Sequence, residues 1–347
     1  MNENDASRRE FLRVSAAAAA ACSLSARAFA RQGSPPPRSP SLEKRAFGKT
    51  DMKVTVLGFG GAEIGYEKTS KDTVQRLLNA ALDAGLNVVD TAECYIDSEV
   101  QIAEAIGSRR KEYYLFTKCG HAVEEAGRDA DWSKEGVLRS IERSLARLKT
   151  DAVDLLQLHS CSLDELQKGD CIEGLEAAKK QGKARFIGYS GDSKAARYAV
   201  KCGRFDALQT SLNIVDQESI DLLLPLAREK KMGVVAKRPI ANAVWRNDGE
   251  PSSGYHLEYW KRLRALEYPF ATGDRRKDEG PNGPAGIALR FTAMQPGVDV
   301  LIVGTSKPER WKQNAALLEA GPLDKDLESS IRARWKAVAK DDWIGQT

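Results

Sequence analysis

The strongest constraint on the fold is a repeated alternation of short apolar runs with amphipathic segments, which extends from about residue 54 to residue 318. The apolar runs are nearly continuous, as in VDLLQL (153–158) and DVLIV (299–303). Such runs are typical of parallel strands that are buried on both faces. The segments between them have the apolar spacing of helices, which are the usual connections between parallel strands.

Eight strands are predicted in this way, over residues 54–60, 87–90, 113–118, 153–159, 184–190, 207–211, 233–237 and 298–303. The predicted connecting helices cover residues 69–84, 98–106, 133–148, 172–180, 193–202, 216–230 and 307–318. This pattern predicts an α/β fold, the (β/α)8 TIM barrel. The alternative is a doubly wound open sheet, which usually has fewer strands and would need a G-x-G-x-x-G turn to bind a dinucleotide. The GFGG sequence at 58–61 does not have that spacing.

Two additions to the barrel are predicted. Residues 45–53 have the pattern of a short hairpin that precedes the first strand. The connection 241–280, which follows the seventh strand, is too long for an ordinary loop and contains a helical stretch at 255–266. It leaves the carboxyl end of a strand, where TIM barrels carry their active-site loops.

The N-terminal segment 1–30 resembles a twin-arginine (Tat) signal peptide. It contains SRREFLR (7–13), an alanine-rich run (14–24) and the small residues AFA (28–30). The resemblance implies recognition by the Tat machinery and a periplasmic or exported product, and the alternative is a lipid anchor through Cys22. The apolar run is shorter than the roughly 20 residues of a membrane span, so no span is predicted. Residues 31–41 are predicted to be a linker rich in proline, glycine and serine, and 42–347 to be the folded domain.

The charge balance argues against a nucleic-acid partner. The chain has 53 Lys+Arg against 49 Asp+Glu, with the two signs interspersed. Binding to a phosphate backbone needs a concentrated basic face, which this distribution does not predict. The cysteines and histidines also lack the paired spacing of a zinc site, so we expect no metal.

Polar residues terminate three successive strands. Asp90 ends the second strand, Lys118 the third and His159 the fourth, while Tyr95 follows Asp90 in the loop DTAECY. Catalytic groups of TIM barrels project from the carboxyl ends of strands, so these four side chains are expected to converge at the mouth. Each of them alone would more often be structural. Their combination indicates an acid–base site.

Several motifs extend the argument to a family: LGFGG, DTAxxYxxSE, FTK, DLLQLH, IGYS, LQTSLN and VGTSKPERWKQN. Together they span residues 44–320, and this region resembles the aldo-keto reductase superfamily. The resemblance implies a TIM barrel that binds NADPH and reduces aldehydes or ketones to alcohols. It also implies a catalytic set of Asp90, Tyr95, Lys118 and His159.

The chemistry of carbonyl reduction explains this set. Hydride transfer builds negative charge on the carbonyl oxygen, which must receive a proton. Tyr95 is the expected general acid, and a cationic Lys118 is expected to lower its pKa. Asp90 is expected to keep Lys118 charged and oriented, and His159 to donate a second hydrogen bond to the carbonyl oxygen.

The same resemblance predicts the cofactor site. The helix start after the eighth strand is expected to bind the adenosine 2′-phosphate and adenine, favouring NADPH over NADH, through Gly304, Ser306, Lys307, Arg310, Gln313 and Asn314. Ser190 and Gln209 match positions that bind the nicotinamide carboxamide, but Gly191 stands where the family has asparagine. Lys237 and Arg238 end the seventh strand and are candidates for the pyrophosphate, although a solvated basic turn is the alternative.

The sequence therefore predicts an exported, NADP-dependent reductase of small carbonyl compounds, including sugar-like ones. One alternative is an NADP(H)-binding sensor or regulatory protein with little turnover, because this fold can bind a cofactor without catalysis. Another is a lyase or isomerase that uses the same tyrosine and lysine as acid and base.

Overall fold

The structure, a computed structural model, describes residues 42–123, 127–252 and 254–346. The predicted signal peptide, the linker and Cys22 lie outside the described residues. Eight parallel strands close into a barrel in which neighbours follow the chain order and the last strand pairs with the first. The barrel strands are β3 (Leu57–Gly60), β4 (Val88–Asp90), β5 (Tyr114–Cys119), β6 (Val153–His159), β7 (Ala184–Ser190), β8 (Ala207–Ser211), β9 (Gly233–Lys237) and β10 (Val300–Gly304). The predicted TIM barrel is confirmed.

Helices follow the strands around the barrel. They are α1 (Ala62–Tyr66), α2 (Lys71–Asp83), α3 (Ser98–Ile106), α4 (Lys134–Leu148), α5 (Leu163–Lys168), α6 (Asp170–Lys180), α7 (Ser193–Cys202), α8 (Glu218–Leu222), α9 (Leu224–Glu229), α10 (Gly254–Leu266), α11 (Pro284–Ala293), α12 (Pro308–Glu319) and α13 (Lys325–Val338). Short 3-10 helices cover Gly107–Glu112, Ala241–Arg246, Pro269–Ala271 and Gly273–Lys277. Within the three described ranges, no helix is long and apolar enough to cross a membrane.

An antiparallel hairpin precedes the barrel, as expected, and is formed by β1 (Lys44–Ala46) and β2 (Lys53–Thr55). The sequence had assigned Val54 and Thr55 to the first barrel strand, which was wrong. Val54 belongs to the hairpin and packs in an apolar cluster with Phe47 and Met52 and with residues of the barrel strands. One apolar run therefore serves two elements, and its spacing does not reveal the boundary between them.

The predicted helix over 216–230 is divided into α8 and α9. Pro225 occupies the first turn of α9, and proline has no N–H to donate to the preceding turn. The sequence analysis also did not predict α11 and α13. Both helices contribute to a second apolar cluster, which includes Phe291 and Trp335.

The long connection after β9 is built around this second cluster. Its 3-10 helix Ala241–Arg246 contributes Trp245, and α10 contributes Tyr259 and Leu266, all of them buried. A loop that carries its own apolar core has a defined position. The connection therefore forms an ordered wall beside the carboxyl ends of the last strands.

Candidate active site

The centre of the site is a buried ion pair between β4 and β5. Lys118 Nζ donates to Asp90 Oδ1 at 2.5 Å and to the backbone oxygen of Thr91 at 2.7 Å. Both charged side chains are 1–2% exposed. The predicted contact between Asp90 and Lys118 is therefore present, and the pair is shielded from water.

Two glutamines complete the environment of Asp90. Its Oδ2 accepts from Gln209 Nε2 at 3.0 Å and from Gln157 Nε2 at 3.4 Å. Burial raises the pKa of Asp90, while Lys118 and both amides favour the ionised form. The sequence analysis had missed Gln157. Its signal was its place in DLLQLH, two residues before His159 and therefore on the same side of the strand.

Tyr95 lies beside this ion pair in the loop after β4. Lys118 Nζ is 4.9 Å from the centroid of the Tyr95 ring, and the ring of His159 meets it edge-on at 5.6 Å between centroids. The loop is tight here, because Ile96 has a φ of 50° and a Cβ on Gly65 would lie 2.3 Å from the Tyr95 carbonyl oxygen. The backbone therefore holds Tyr95 among the other three candidates.

The lowered pKa expected for Tyr95 is not found in this structure. Burial raises the pKa of Tyr95 well above its ordinary value, and the nearby Asp90 carboxylate raises it further. Burial is the main cause, and the Asp90 carboxylate, which pairs with Lys118, offsets the charge of the ammonium. Tyr95 therefore keeps its proton at neutral pH.

His159 is held neutral. Burial lowers its pKa well below the ordinary value, and the nearby positive charges of Lys118 and Lys237 lower it further. The Nδ1 atom of His159 lies 3.2 Å from Cys94 Sγ, and the His121 ring lies 5.2 Å from the His159 ring between centroids. A neutral imidazole can donate one hydrogen bond and accept another. Neither Cys94 nor His121 was predicted to contact His159.

Ser190 and Gln209 are brought together at the ends of β7 and β8. Ser190 Oγ donates to Gln209 Oε1 at 2.8 Å, and both residues are 1% exposed. Gly191, which stands where the family has asparagine, lies close to Tyr189. A Cβ at this position would be 2.5 Å from the Tyr189 hydroxyl oxygen, so a larger residue would clash there.

Asp192, one residue later, pairs with Lys237 from β9. Lys237 Nζ lies 2.9 Å from Asp192 Oδ2, and Asp192 Oδ1 accepts from Thr210 Oγ1 and Ser211 N at 2.7 Å each. Burial opposes ionisation of Asp192, but Lys237 and the hydrogen bonds overcome it and lower its pKa. Burial lowers the pKa of Lys237 to about 8, although Asp192 opposes that change.

Arg238 is held at the mouth by the C-terminal segment. Its Nη1 donates to Gln346 O at 2.6 Å and to Ser211 Oγ at 2.9 Å. Its guanidinium carbon lies 3.9 Å from the centroid of the Tyr255 ring. The predicted basic turn therefore contains two cations that already have partners within the protein.

The residues after β10 lie beside a separate cavity. It measures about 350 Å³, and its lining includes Arg310, Gln313 and Asn314 from α12 together with Trp245 and Glu279 of the long connection. Glu279 Oε1 accepts from Arg246 at 2.9 Å and from Arg310 at 3.4 Å.

The residues directly before α12 are not part of the lining of this cavity. Gly304 ends β10, and a Cβ there would lie 1.5 Å from the Glu63 carboxylate, so a larger residue would require that side chain to move. Ser306 is partly exposed and Lys307 is exposed, directly before α12. The predicted cofactor residues thus form three groups: a buried amide and hydroxyl pair, a basic turn, and a cavity at a helix start.

An eight-stranded barrel with a buried lysine and carboxylate and a partly buried tyrosine and histidine at its mouth defines an enzyme-like site. Residues 56–336 match the model of the Aldo/keto reductase family, and the chain belongs to that family. It is therefore an oxidoreductase. Membership also supports carbonyl reduction with a nicotinamide cofactor.

Individual relatives agree with this assignment. The chain is 28% identical to L-galactose dehydrogenase of Arabidopsis thaliana over 319 residues, which covers 87% of this chain and 97% of that protein. It is 25% identical to the NADH-specific methylglyoxal reductase of Escherichia coli, with 82% and 96% covered. The holo form of an aldo-keto reductase from Bacillus halodurans superimposes with a TM-score of 0.74 at 27% identity, with 87% and 99% covered.

Proposed function

We propose that this protein transfers a hydride from NADPH to the carbonyl carbon of an aldehyde or ketone, with Tyr95 as the general acid. The observation that carries the proposal is the cluster of Asp90, Lys118, Tyr95 and His159 at the carboxyl ends of the strands, in which the ion pair is buried and the two rings are partly buried. Relatives named for L-galactose and methylglyoxal favour a small, polar, sugar-like carbonyl compound as substrate.

The described residues fit a nicotinamide dinucleotide. Ser190 and Gln209 offer hydroxyl and amide groups beside the catalytic cluster, which suits a carboxamide. Arg310 and Asn314 line the cavity at the start of α12, where an adenosine phosphate would meet a cation and a helix N-terminus. Arg238 lies between these two groups along the chain and is the candidate for the pyrophosphate.

The protein's own residues account for the acid step. When bound, the reduced nicotinamide supplies the hydride. Tyr95 donates its phenolic proton to the carbonyl oxygen as charge develops there, and Lys118 stabilises the resulting phenolate. Neutral His159 donates a hydrogen bond to the same oxygen and orients the substrate. Asp90 keeps the Lys118 ammonium in place through its 2.5 Å contact.

The preference for NADPH rests on Arg310 and Ser306. A guanidinium forms charge-assisted, bidentate contacts with phosphate, and NADH lacks the 2′-phosphate that would receive them. The Glu279 carboxylate lies 3.4 Å from Arg310 Nη1 and would compete with the 2′-phosphate for this guanidinium. The preference for NADPH therefore depends on whether Arg310 binds the 2′-phosphate more strongly than it binds Glu279. It can differ from the preference of the relative named as NADH-specific.

The decisive test is the Tyr95→Phe variant. We expect loss of the proton donor to lower carbonyl-dependent NADPH oxidation by at least about 100-fold while NADPH binding is retained. Turnover is followed by NADPH absorbance and binding by NADPH fluorescence. The matched control is Tyr66→Phe, since Tyr66 is 55% exposed and its ring lies 5.7 Å from that of Tyr95.

Two results would contradict the proposal. Wild-type turnover in Tyr95→Phe would remove Tyr95 from the acid role. If the wild-type protein bound NADPH tightly but oxidised none of it with a panel of aldehydes, ketones and sugars, the sensor alternative would be favoured. Turnover of a hydroxy compound without nicotinamide would instead favour a lyase or isomerase.

We also infer from the N-terminal motifs that the protein is exported through the Tat machinery. The test is to fuse residues 1–41 to a reporter that is active only outside the cytoplasm. Substituting lysine for Arg8 and Arg9 is expected to abolish reporter activity, because paired arginines identify the signal. Export that survives this change would contradict the inference, and a membrane-bound product that Cys22→Ser releases would identify the lipid-anchored alternative.

A further inference from the structure

Two buried cysteines lie side by side just beyond the strand that carries His159. Cys161 follows β6, and Cys171 is the second residue of α6. Their Sγ atoms are 3.8 Å apart, and the residues are 1% and 0% exposed. The two thiols are close enough that small side-chain rotations could bring them to the bond length of about 2.05 Å in a disulfide.

The surroundings of Cys161 and Cys171 shift the pKa values of the two thiols in opposite directions. Cys171 lies in the first turn of α6, where a hydrogen bond from Cys161 and two backbone N–H groups lower its pKa. The same contact and burial raise the pKa of Cys161. Cys171 is therefore the better nucleophile, with Cys161 positioned to react second.

Other cysteines of the described segments have different partners. Cys119 Sγ donates to Gln157 O at 3.4 Å, Cys202 Sγ donates to Ala199 O at 3.2 Å, and Cys94 Sγ contacts His159. The contact between Cys161 and Cys171 joins two thiols across only ten positions of sequence. This selects one pair for oxidation.

We propose that Cys161 and Cys171 form an intramolecular disulfide when the protein meets a disulfide-bearing oxidant. The Cys171 thiolate attacks one sulfur of the oxidant and releases its other half as a thiolate. The Cys161 thiol then gives its proton to that thiolate and attacks Cys171 Sγ, which expels the second half of the oxidant. This half leaves as a thiolate and takes up from water the proton that Cys171 released on ionising. One S–S bond forms, the two cysteines are oxidised, and the oxidant is reduced to two thiols.

The disulfide between Cys161 and Cys171 would restrain the segment that follows His159. Residues 162–170, which include α5, form the closed loop, and Tyr189 already donates to the Cys161 carbonyl at 2.7 Å. Between His159 and Cys161, Ser160 has a φ of 61°. A cross-link at Cys161 restricts the unfolded chain and stabilises this bend.

The oxidant reaches the pair through α5. This helix has six residues, and Cys171 Sγ donates to its Glu165 carbonyl at 3.5 Å. Local opening of so short an element costs less than global unfolding, so the thiols become accessible in the folded protein as well as during folding. The inference does not depend on the proposed carbonyl reductase activity.

The experiment uses the full chain in oxidised and reduced glutathione, once added to folded protein and once present during refolding. Remaining thiols are alkylated and the protein is digested with trypsin, which cleaves after Lys149, Lys168 and Lys179. We expect peptides 150–168 and 169–179 to be linked, with a mass about 2 Da below their sum. Dithiothreitol should separate them.

A Cys161→Ser/Cys171→Ser double variant is the matched control. We expect the oxidised wild-type protein to have a thermal midpoint several degrees above that of its reduced form, whereas the double variant shows no redox-dependent shift. Full alkylation of both cysteines after both treatments would overturn the proposal. So would glutathione adducts without the linked peptides, or a link from either cysteine to a different partner.

Discussion

At the scale of single residues, the ion pair between Asp90 and Lys118 is the most consequential contact of the site. Both side chains are almost fully buried, and each also has hydrogen-bond partners in Gln209, Gln157 or the Thr91 carbonyl. A satisfied buried pair adds little net stability, but removing one partner leaves an uncompensated charge. The pair therefore fixes the position of the ammonium near Tyr95.

We expect Asp90→Asn to lower the free energy of unfolding by about 3–5 kcal/mol, because Lys118 would remain buried without a counter-charge. Turnover should also fall, since Lys118 would no longer be held in place. Chemical denaturation and steady-state kinetics measure the two effects. The control is Asp83→Asn, which breaks an exposed pair with Arg109 and should cost about 0–1 kcal/mol. Equal losses in the two variants would contradict the argument.

The basic turn leads to a prediction about pH. The pKa of Lys237 is about 8, and its charge offsets Asp192. As the pH rises through that value, Lys237 loses its charge, Asp192 is left as an anion, and a bound phosphate group is repelled. NADPH affinity is therefore expected to decrease above about pH 8 and to be constant below it. Fluorescence titrations from about pH 6.5 to 9.5 measure this, and Lys237→Met should remove the dependence. An affinity that increases with pH would exclude Lys237 from the cofactor site.

At the scale of elements, the connection after β9 does more than enclose the mouth. It contributes Glu279 and Trp245 to the cavity beside α12. Because Glu279 contacts Arg310, the conformation of the connection affects the position of the Arg310 guanidinium. The apolar cluster around Tyr259 and Trp335 holds this connection in place. If the proposed cofactor site is correct, its selectivity depends on both α12 and the connection after β9.

We expect Glu279→Gln to strengthen NADPH binding about 5-fold, because Arg310 would no longer be shared with a carboxylate and a partly exposed pair contributes about 1 kcal/mol. NADH affinity should stay nearly constant. Dissociation constants for both cofactors are compared with those of Asp248→Asn, which removes the carboxylate that pairs with Arg276 in the same connection. If both cofactors bound more tightly, the effect would not arise from the 2′-phosphate.

At the scale of the whole molecule, the C-terminal segment connects distant parts of the barrel mouth. Its Ile344 carbonyl accepts from Arg262 at 2.8 Å, and its Gln346 carbonyl accepts from Arg238 and Ser211. Trp343 packs against Trp335 of α13 at 5.4 Å between ring centroids. The backbone carbonyls of Ile344 and Gln346 thereby accept hydrogen bonds from the guanidinium groups of Arg262 and Arg238.

Deleting residues 343–347 should therefore destabilise the protein more than surface truncations do. Arg262 is 2% exposed, and leaving such a donor without a partner costs about 1–3 kcal/mol. Chemical denaturation is expected to show a loss of at least about 2 kcal/mol, and opening the mouth should raise KM for the carbonyl substrate. Gln346→Ala is the control, because it keeps the backbone carbonyl. A truncated protein as stable as this variant would contradict the role assigned to the segment.

The sequence by itself determined the barrel, most of its strand boundaries and the four-residue cluster, because these follow from local periodicity and from the ends of apolar runs. Tertiary structure decided what depends on contacts between distant residues. It placed Val54 in the hairpin, positioned Arg238 against Gln346, and set Lys118 over the Tyr95 ring with Asp90 opposing its charge. Periodicity reports which face of a segment is buried. A pKa depends on which charges that burial brings together, and only the folded chain determines this.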